Sequence, residues 1–305
     1  MEQYEQASSY EKFGFVIIRN VLLPEEIRDI RELLLEQLAA YPERERVFTE
    51  EVFQCPEIYR LAFREKVVRM LKEVMGPELC YYSNHTVQCN QFGRWHWDSG
   101  GDPVQEFHVR PDYRFANCGI YFQENTRKWG GGIHVLPGQH KMPVSTGSFK
   151  VDYFFKRLVS RFSSKYSFPT KPVMVDIHPG DMVIFDLRLP HSATWPDDLT
   201  GLTQGRNTVL HGIPRDMTKM VLYWFASNSK MVPDFMPTLE RRALEEQPGS
   251  ELHYIAWLKR YFPDDFPSEF AALAKQHSIE IPTLSQKNCQ EYDRIFEDKK
   301  SPPYY

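Results

Sequence analysis

The sequence lacks several features that would place it in a familiar class. It has no run approaching the roughly 18 apolar residues of a membrane span, and its first residues carry no apolar signal core. It also lacks a basic excess, since 37 Lys and Arg face 41 Asp and Glu for a net charge of −4. These absences predict a protein that binds neither membranes nor nucleic acid.

Cysteine is scarce and unpatterned. The five cysteines are an odd number and form no C-x-x-C pair. This usage predicts reduced thiols in a cytoplasmic protein, and it argues against a disulfide framework or a cysteine zinc site.

Linkers, low-complexity stretches and internal repeats are also missing, which predicts a single domain over residues 1–305. Hydrophobic residues make up 42% and aromatic residues 14% of the chain, enough to build a substantial core. Within this domain we expect a helical N-terminal support over residues 1–78 and a core over about 79–228. A C-terminal extension of helices and loops is expected over residues 229–305.

Hydrophobic periodicity predicts the secondary structure of these parts. Residues 22–40 show helical spacing, with a proline and two glutamates at the start, and a second helix is expected over residues 57–74. From residue 79 onward, short β-branched and aromatic runs alternate with turns, including Pro179-Gly180-Asp181. The fold class is therefore mainly β with flanking helices, and the β part is an antiparallel barrel or sandwich.

One candidate metal site stands out. His96 and Asp98 are two residues apart, so on an extended chain their side chains point to the same side. His191 follows the apolar run MVIFDL and is expected at a strand end facing the same cavity. Two histidines and one carboxylate on one face form the facial triad of non-haem iron(II) oxygenases, which leaves three coordination positions open.

The remaining histidines are weaker candidates. A histidine followed two residues later by Asp or Glu is expected roughly once by chance in a chain of this composition, so the pair alone does not establish a metal site. The support for His96 and Asp98 comes from the strand-like run before them and from the flanking Trp95 and Trp97. His134 lies on a predicted strand, where it either lines the pocket or belongs to the core.

Four segments resemble the phytanoyl-CoA dioxygenase superfamily of iron(II)/2-oxoglutarate oxygenases. They are the opening strand and helix FGFVIIRNVLLPEEIRDIRELL, the HWD motif, the stretch GGGIHVLPGQHK and the strand pair HPGDMVIFDLRLPHSA. The glycine-rich stretch is the most specific, although its glycines also fit hairpin turns. The resemblance covers residues 11 to about 228.

The resemblance implies a double-stranded β-helix core of the jelly-roll, cupin-like type. It implies Fe(II) held by His96, Asp98 and His191, with 2-oxoglutarate and O2 as cosubstrates and succinate and CO2 as products. The oxidised substrate would be a small molecule that usually gains a hydroxyl group. Because Asp98 is present, the halogenase branch, which has Gly or Ala at this position, is set aside.

The residue that would bind the far carboxylate of 2-oxoglutarate departs from the family pattern. The family usually places an Arg about eleven residues after the distal histidine, where this chain has Leu202. A cation near the start of the last barrel strand, KMVLYWFAS, should replace it. Arg215 is the first choice, Lys219 the second and Arg206 the third.

Four residues are candidates for substrate binding. Candidate binding residues are Trp97 between the two ligands, Arg110 and Arg114 in the long segment after Asp98, and His134. This segment, which starts at Gly100-Gly101, is expected to act as a lid. A small polar metabolite, such as an amino-acid, sugar or natural-product intermediate, is preferred. A non-catalytic ligand-binding barrel and a zinc-dependent hydrolase or isomerase remain alternatives, and the sequence predicts no oligomeric state.

Overall fold

The computed structural model describes residues 4–39, 46–96, 98, 112–141, 172–197, 207–209, 213–236 and 265–283. Its helices are α1 (Ser8–Phe13), α2 (Pro24–Ala39), α3 (Thr49–Phe53), α4 (Pro56–Tyr59), α5 (Glu65–Met75) and α6 (Ser268–Gln276). Residues 232–236 are also helical. None of the described helices combines the length and the apolar character needed to cross a bilayer.

Twelve strands are named in the described part of the chain. They are β1 (Phe15–Ile18), β2 (Arg46–Val47), β3 (Leu79–Tyr81), β4 (Thr86–Cys89), β5 (Gln91–Gly93), β6 (Phe115–Tyr121), β7 (Ile133–Val135), β8 (Val173–Met174), β9 (Met182–Asp186), β10 (His191–Ala193), β11 (Asn207–Val209) and β12 (Met220–Asn228). Six strand pairs are antiparallel: β1–β9, β6–β9, β7–β10, β7–β8, β5–β11 and β3–β12. These strands and helices confirm the mainly β fold class with flanking helices.

The chain divides into two compact units. The first comprises residues 1–46 and 88–222, and the second comprises residues 47–87 and 223–305. The sequence-based prediction that residues 1–305 form one oxygenase domain stays a prediction.

The first unit contains several antiparallel strand pairs, and their buried residues are mostly apolar. β9 lies between β1 and β6, and all three strands are almost fully buried. β7 lies between β10 and β8, while β5 pairs with β11. The helix expected over residues 22–40 is observed as α2, which buries Ile30 and Leu34. The expected turn before β9 is also present, with Gly180 at φ +85°.

The second unit has an aromatic core. Tyr59, Tyr81 and Trp224 are almost fully buried, and α6 contributes Phe270. The helix expected over residues 57–74 is wrong as a continuous element, because the structure has α4, a 3-10 turn over Arg60–Phe63 and then α5. Arg64 takes extended backbone angles (φ −59°, ψ 136°) that no helix can include, so the chain changes direction there.

Four cysteines lie in the described part, and all are buried free thiols. They are Cys55, Cys80, Cys89 and Cys118. Burial raises the pKa of Cys89 to about 12, so this thiol stays protonated and unreactive at neutral pH. Cys89 is thus a small core residue.

Candidate metal centre

The two predicted histidine ligands lie directly opposite each other in the first unit. His191 is the first residue of β10, and His96 follows β5. Their backbones form an isolated antiparallel bridge, and their ring centroids are 4.3 Å apart. Residues paired in this way carry their side chains on the same face.

Each imidazole is oriented by the carbonyl group two residues before it. His191 Nδ1 lies 2.9 Å from the Leu189 carbonyl oxygen, and His96 Nδ1 makes a short contact with the Arg94 carbonyl oxygen. A carbonyl oxygen only accepts, so each Nδ1 carries a proton, and Nε2 is the ring nitrogen left to bind a metal. A hydrogen bond from Nδ1 to a carbonyl oxygen is typical of histidines that bind a metal through Nε2.

The carboxylate of Asp98 completes the cluster. Its Oδ1 lies 3.5 Å from His96 Nε2 and 3.8 Å from His191 Nε2. The three residues can each offer a ligand atom within 4.8 Å of the others. Bonds of about 2.1 Å would bring adjacent ligand atoms of a facial set to about 3 Å, so a small contraction suffices to bind an ion. The donor set therefore fits a divalent transition metal.

The electrostatics of the cluster keep Asp98 and His191 in the protonation states that a metal requires. Burial alone would raise the pKa of Asp98, but the charges of His191 and His96 and the hydrogen bonds from His96 and Asn117 hold it well below its usual range. Burial and the charge of His96 lower the pKa of His191 to about 4. At neutral pH the site therefore offers a carboxylate and a neutral His191 imidazole.

The two described cation candidates have contrasting environments. Arg215 is exposed, and its guanidinium pairs with Glu32 of α2 at 2.9 Å. Lys219 is only 3% exposed, and its ammonium donates to the Gln91 carbonyl oxygen at 2.7 Å and lies 5.0 Å from the Phe92 ring centroid. Burial lowers the pKa of Lys219 to about 7, and its charge contributes to lowering the pKa of His191.

The substrate candidates fall in different places. The register of β7 and β10 pairs His134 with Ser192, on the face opposite to that of His191. Arg114 forms an ion pair with Glu11 and donates to the Tyr113 carbonyl oxygen at 2.9 Å. Three other predicted site residues, Trp97, Arg110 and Arg206, lie outside the described residues, as does most of the proposed lid.

Two residues of the site were missed from the sequence. Asn117 on β6 donates through Nδ2 to Asp98 Oδ2 at 2.9 Å. Phe185 on β9 packs its ring 4.7 Å from the His191 ring, and the β6–β9 register pairs it with Asn117. No sequence motif identifies either residue, because the register of β6 and β9 places both of them beside the metal ligands.

The glycine-rich stretch lies beside β10. Gly130 has φ +68°, and a side chain at this position would collide with the Thr194 carbonyl oxygen. Gly131 N donates to that same oxygen at 3.2 Å. The glycine-rich stretch thus fits both the predicted turns and the family resemblance. It packs against β10, which carries His191.

A facial set of two histidines and a carboxylate on an antiparallel β fold defines the class of mononuclear non-haem metal oxygenases. The model of the phytanoyl-CoA dioxygenase (PhyH) family matches residues 10–194, which is more than half of the chain. The chain belongs to this family, within the Fe(II)/2-oxoglutarate-dependent oxygenase superfamily. No curated protein sequence matches it.

Solved structures share the fold at low sequence identity. EctD from S. alaskensis, with 2-oxoglutarate and 5-hydroxyectoine, is 17% identical at a TM-score of 0.52, covering 74% of this chain and 76% of its own. Two proteins of nogalamycin biosynthesis are each 15% identical to this chain, and the match covers 83% of each of them. The carbocyclase SnoK has a TM-score of 0.52 over 73% of this chain, and the epimerase SnoN has 0.50 over 75%. These likenesses confirm the cupin-like jelly-roll fold.

Proposed function

We propose that this protein is an Fe(II)/2-oxoglutarate-dependent dioxygenase that hydroxylates a small polar metabolite and releases succinate and CO2. The main support for the proposal is that His96 Nε2, His191 Nε2 and Asp98 Oδ1 lie close together. The Nδ1 atom of each histidine contacts a backbone carbonyl oxygen. Iron held by this cluster would supply the activation of dioxygen. His96, Asp98 and His191 would hold the iron, and the surrounding protein residues would exclude water and place the substrate.

Lys219 is the proposed partner of the far carboxylate of 2-oxoglutarate. A buried ammonium has few ways to recover its lost hydration, and a ligand carboxylate supplies a charge-assisted hydrogen bond. Lys219 lies next to Phe92 and influences His191 electrostatically, which supports a position in the same interior as the metal ligands. Arg215, the first choice from sequence, is exposed and already paired with Glu32, so it is now the second candidate.

The hydroxylation outcome and the class of substrate are proposed from one of the similar structures. EctD has been solved with 5-hydroxyectoine, a small hydroxylated molecule, whereas SnoK and SnoN are described as a carbocyclase and an epimerase. Among the proposed substrate residues, Trp97, Arg110 and Arg114 are retained. His134 is left out because its strand position puts it on the face opposite to that of His191.

The test is succinate release from 2-oxoglutarate by the purified protein with added Fe(II), across a panel of amino acids, sugars and natural-product intermediates. We expect substrate-dependent succinate with Fe(II) and none with Zn(II) or with the Asp98→Ala variant. Ligand binding without succinate would instead indicate a non-catalytic barrel. Turnover with Zn(II) alone would indicate a hydrolase or isomerase.

A further inference from the structure

The two oxygens of Asp98 have different surroundings. Oδ1 faces the Nε2 atoms of His96 and His191, at 3.5 and 3.8 Å. Oδ2 accepts a hydrogen bond of 2.9 Å from Asn117 Nδ2. An ionised carboxylate only accepts, so the amide nitrogen of Asn117, not its oxygen, must face Asp98.

The backbone fixes this contact. Asn117 lies in the middle of β6, where its Cα is paired with that of Phe185 on β9. Phe185 packs against the His191 ring, so the face of β6 that carries Asn117 is the face toward the cluster. A side chain with two rotatable bonds on a buried central strand has little freedom to leave this position.

We infer that Asn117 is a positioning residue that keeps Asp98 a one-oxygen ligand of the metal. This inference rests on the proposed function. A facial triad leaves three of six coordination positions open, which is the number that a bidentate 2-oxo acid and dioxygen need together. A carboxylate that swung to bind through both oxygens would occupy one of the three. The hydrogen bond from Asn117 Nδ2 opposes that swing because it engages Oδ2.

Asn125 offers a matched control in the same unit. Its Nδ2 also donates to an oxygen, the Val175 carbonyl, at 2.7 Å. Both asparagines leave a buried Oδ1 without a hydrogen-bond partner in the described part of the chain. The two residues thus differ mainly in whether the oxygen they hold belongs to a metal ligand.

The experiment measures Co(II) binding to the full chain by titration, following the d–d absorption that reports coordination number. Asn117→Leu keeps most of the volume and removes the donor, while Asn117→Ala removes both. Substituting a residue that hydrogen-bonds to a metal ligand typically weakens metal binding by roughly 10-fold to 100-fold. We expect both variants to fall in this range with an altered spectrum, and Asn125→Ala to bind as the wild type does. Thermal unfolding of each variant verifies folding.

Wild-type affinity and an unchanged spectrum in Asn117→Leu would overturn the inference, even if Asn117→Ala binds weakly, because packing would then explain the loss. Asp98→Ala separates this failure from a failure of the proposed function. If Asp98→Ala loses Co(II) while Asn117→Leu retains it, the metal site stands and the positioning role falls. A wild-type chain that binds no Co(II) would overturn both.

Discussion

His96 and His191 exchange both of their backbone hydrogen bonds. His96 N donates to the His191 carbonyl oxygen at 2.9 Å, and His191 N donates to the His96 carbonyl oxygen at 2.8 Å. Two residues 95 positions apart in the sequence are thereby locked in register. A one-residue slip would move one imidazole to the opposite face, so the backbone pairing itself defines the geometry of the site.

The first prediction concerns the three ligands. Replacing His96, Asp98 or His191 with Ala should weaken Co(II) binding by roughly 100-fold or more and abolish succinate production, because each substitution removes one of three ligand atoms. Isothermal titration with Co(II) and a succinate assay measure the two effects. His134→Ala is the matched control for metal binding, since its side chain lies on the other face of the strand pair. Wild-type succinate production by Asp98→Ala would contradict the assignment.

Much of the site followed from the sequence because its chemistry is concentrated in short motifs. His96 and Asp98 are close in the chain, and their proximity was predicted from an extended strand. The structure brings them together differently, with Asp98 in a turn. His191 at a strand end was also readable, because an apolar run precedes it.

Other features depend on packing between distant segments, which a single sequence does not show. Asn117 becomes a partner of Asp98 only through the pairing of β6 with β9. Charge alone predicts that Lys219 and Arg215 are both exposed, yet Lys219 is buried and only Arg215 is exposed. The break at Arg64 was missed because the hydrophobic spacing continues through it.

The second prediction concerns Gly130. A side chain there would collide with the Thr194 carbonyl oxygen and the Phe92 ring, and the backbone already has φ +68°. Gly130→Ala should therefore destabilise the protein by about 2–4 kcal/mol, from the strain of positive φ plus the clash. Gly138→Ala is the control, because Gly138 has φ +80° but an open neighbourhood, with the Lys12 carbonyl oxygen at 3.6 Å. Its cost should be about 1–2 kcal/mol. Equal losses in denaturant unfolding would contradict the clash.

The third prediction concerns acid stability of the second unit. His85 is fully buried, with its ring stacked on Trp224 at 5.6 Å and edge-on to Phe270 at 5.1 Å. Neither ring nitrogen has a hydrogen-bond partner among the described residues. Burial lowers the pKa of His85 to about 3, from a usual value near 6.5.

The sign of the pH effect follows from this difference. As the pH falls, His85 is protonated first in the unfolded chain. Its contribution to the free energy of unfolding is therefore fully present above about pH 6.5, and it falls by at most about 1.4 kcal/mol per pH unit below that value. His85→Phe should remove this part of the pH dependence, as measured by urea unfolding at several pH values. An identical pH dependence in wild type and His85→Phe would show that His85 does not titrate on unfolding.

The last prediction concerns Lys219 and the cosubstrate. The buried amine has a pKa of about 7, so it is about half protonated at neutral pH. A carboxylate binds the ammonium form, which means that binding of 2-oxoglutarate should draw in a proton as the pH rises. Affinity should therefore be nearly constant below about pH 7 and fall by up to 10-fold per pH unit above it. Calorimetric titration of the Co(II)-loaded protein with 2-oxoglutarate measures this dependence.

Three variants separate Lys219 from Arg215. Lys219→Met keeps the length but loses the charge, so affinity for 2-oxoglutarate should fall by roughly 10-fold to 150-fold, the equivalent of a charge-assisted hydrogen bond. Lys219→Arg keeps a charge that does not titrate in this range, so the loss of affinity above pH 7 should disappear. Arg215→Ala should bind within about twofold of wild type, because Arg215 is an exposed residue paired with Glu32. A large loss in Arg215→Ala with none in Lys219→Met would assign the carboxylate to Arg215 instead.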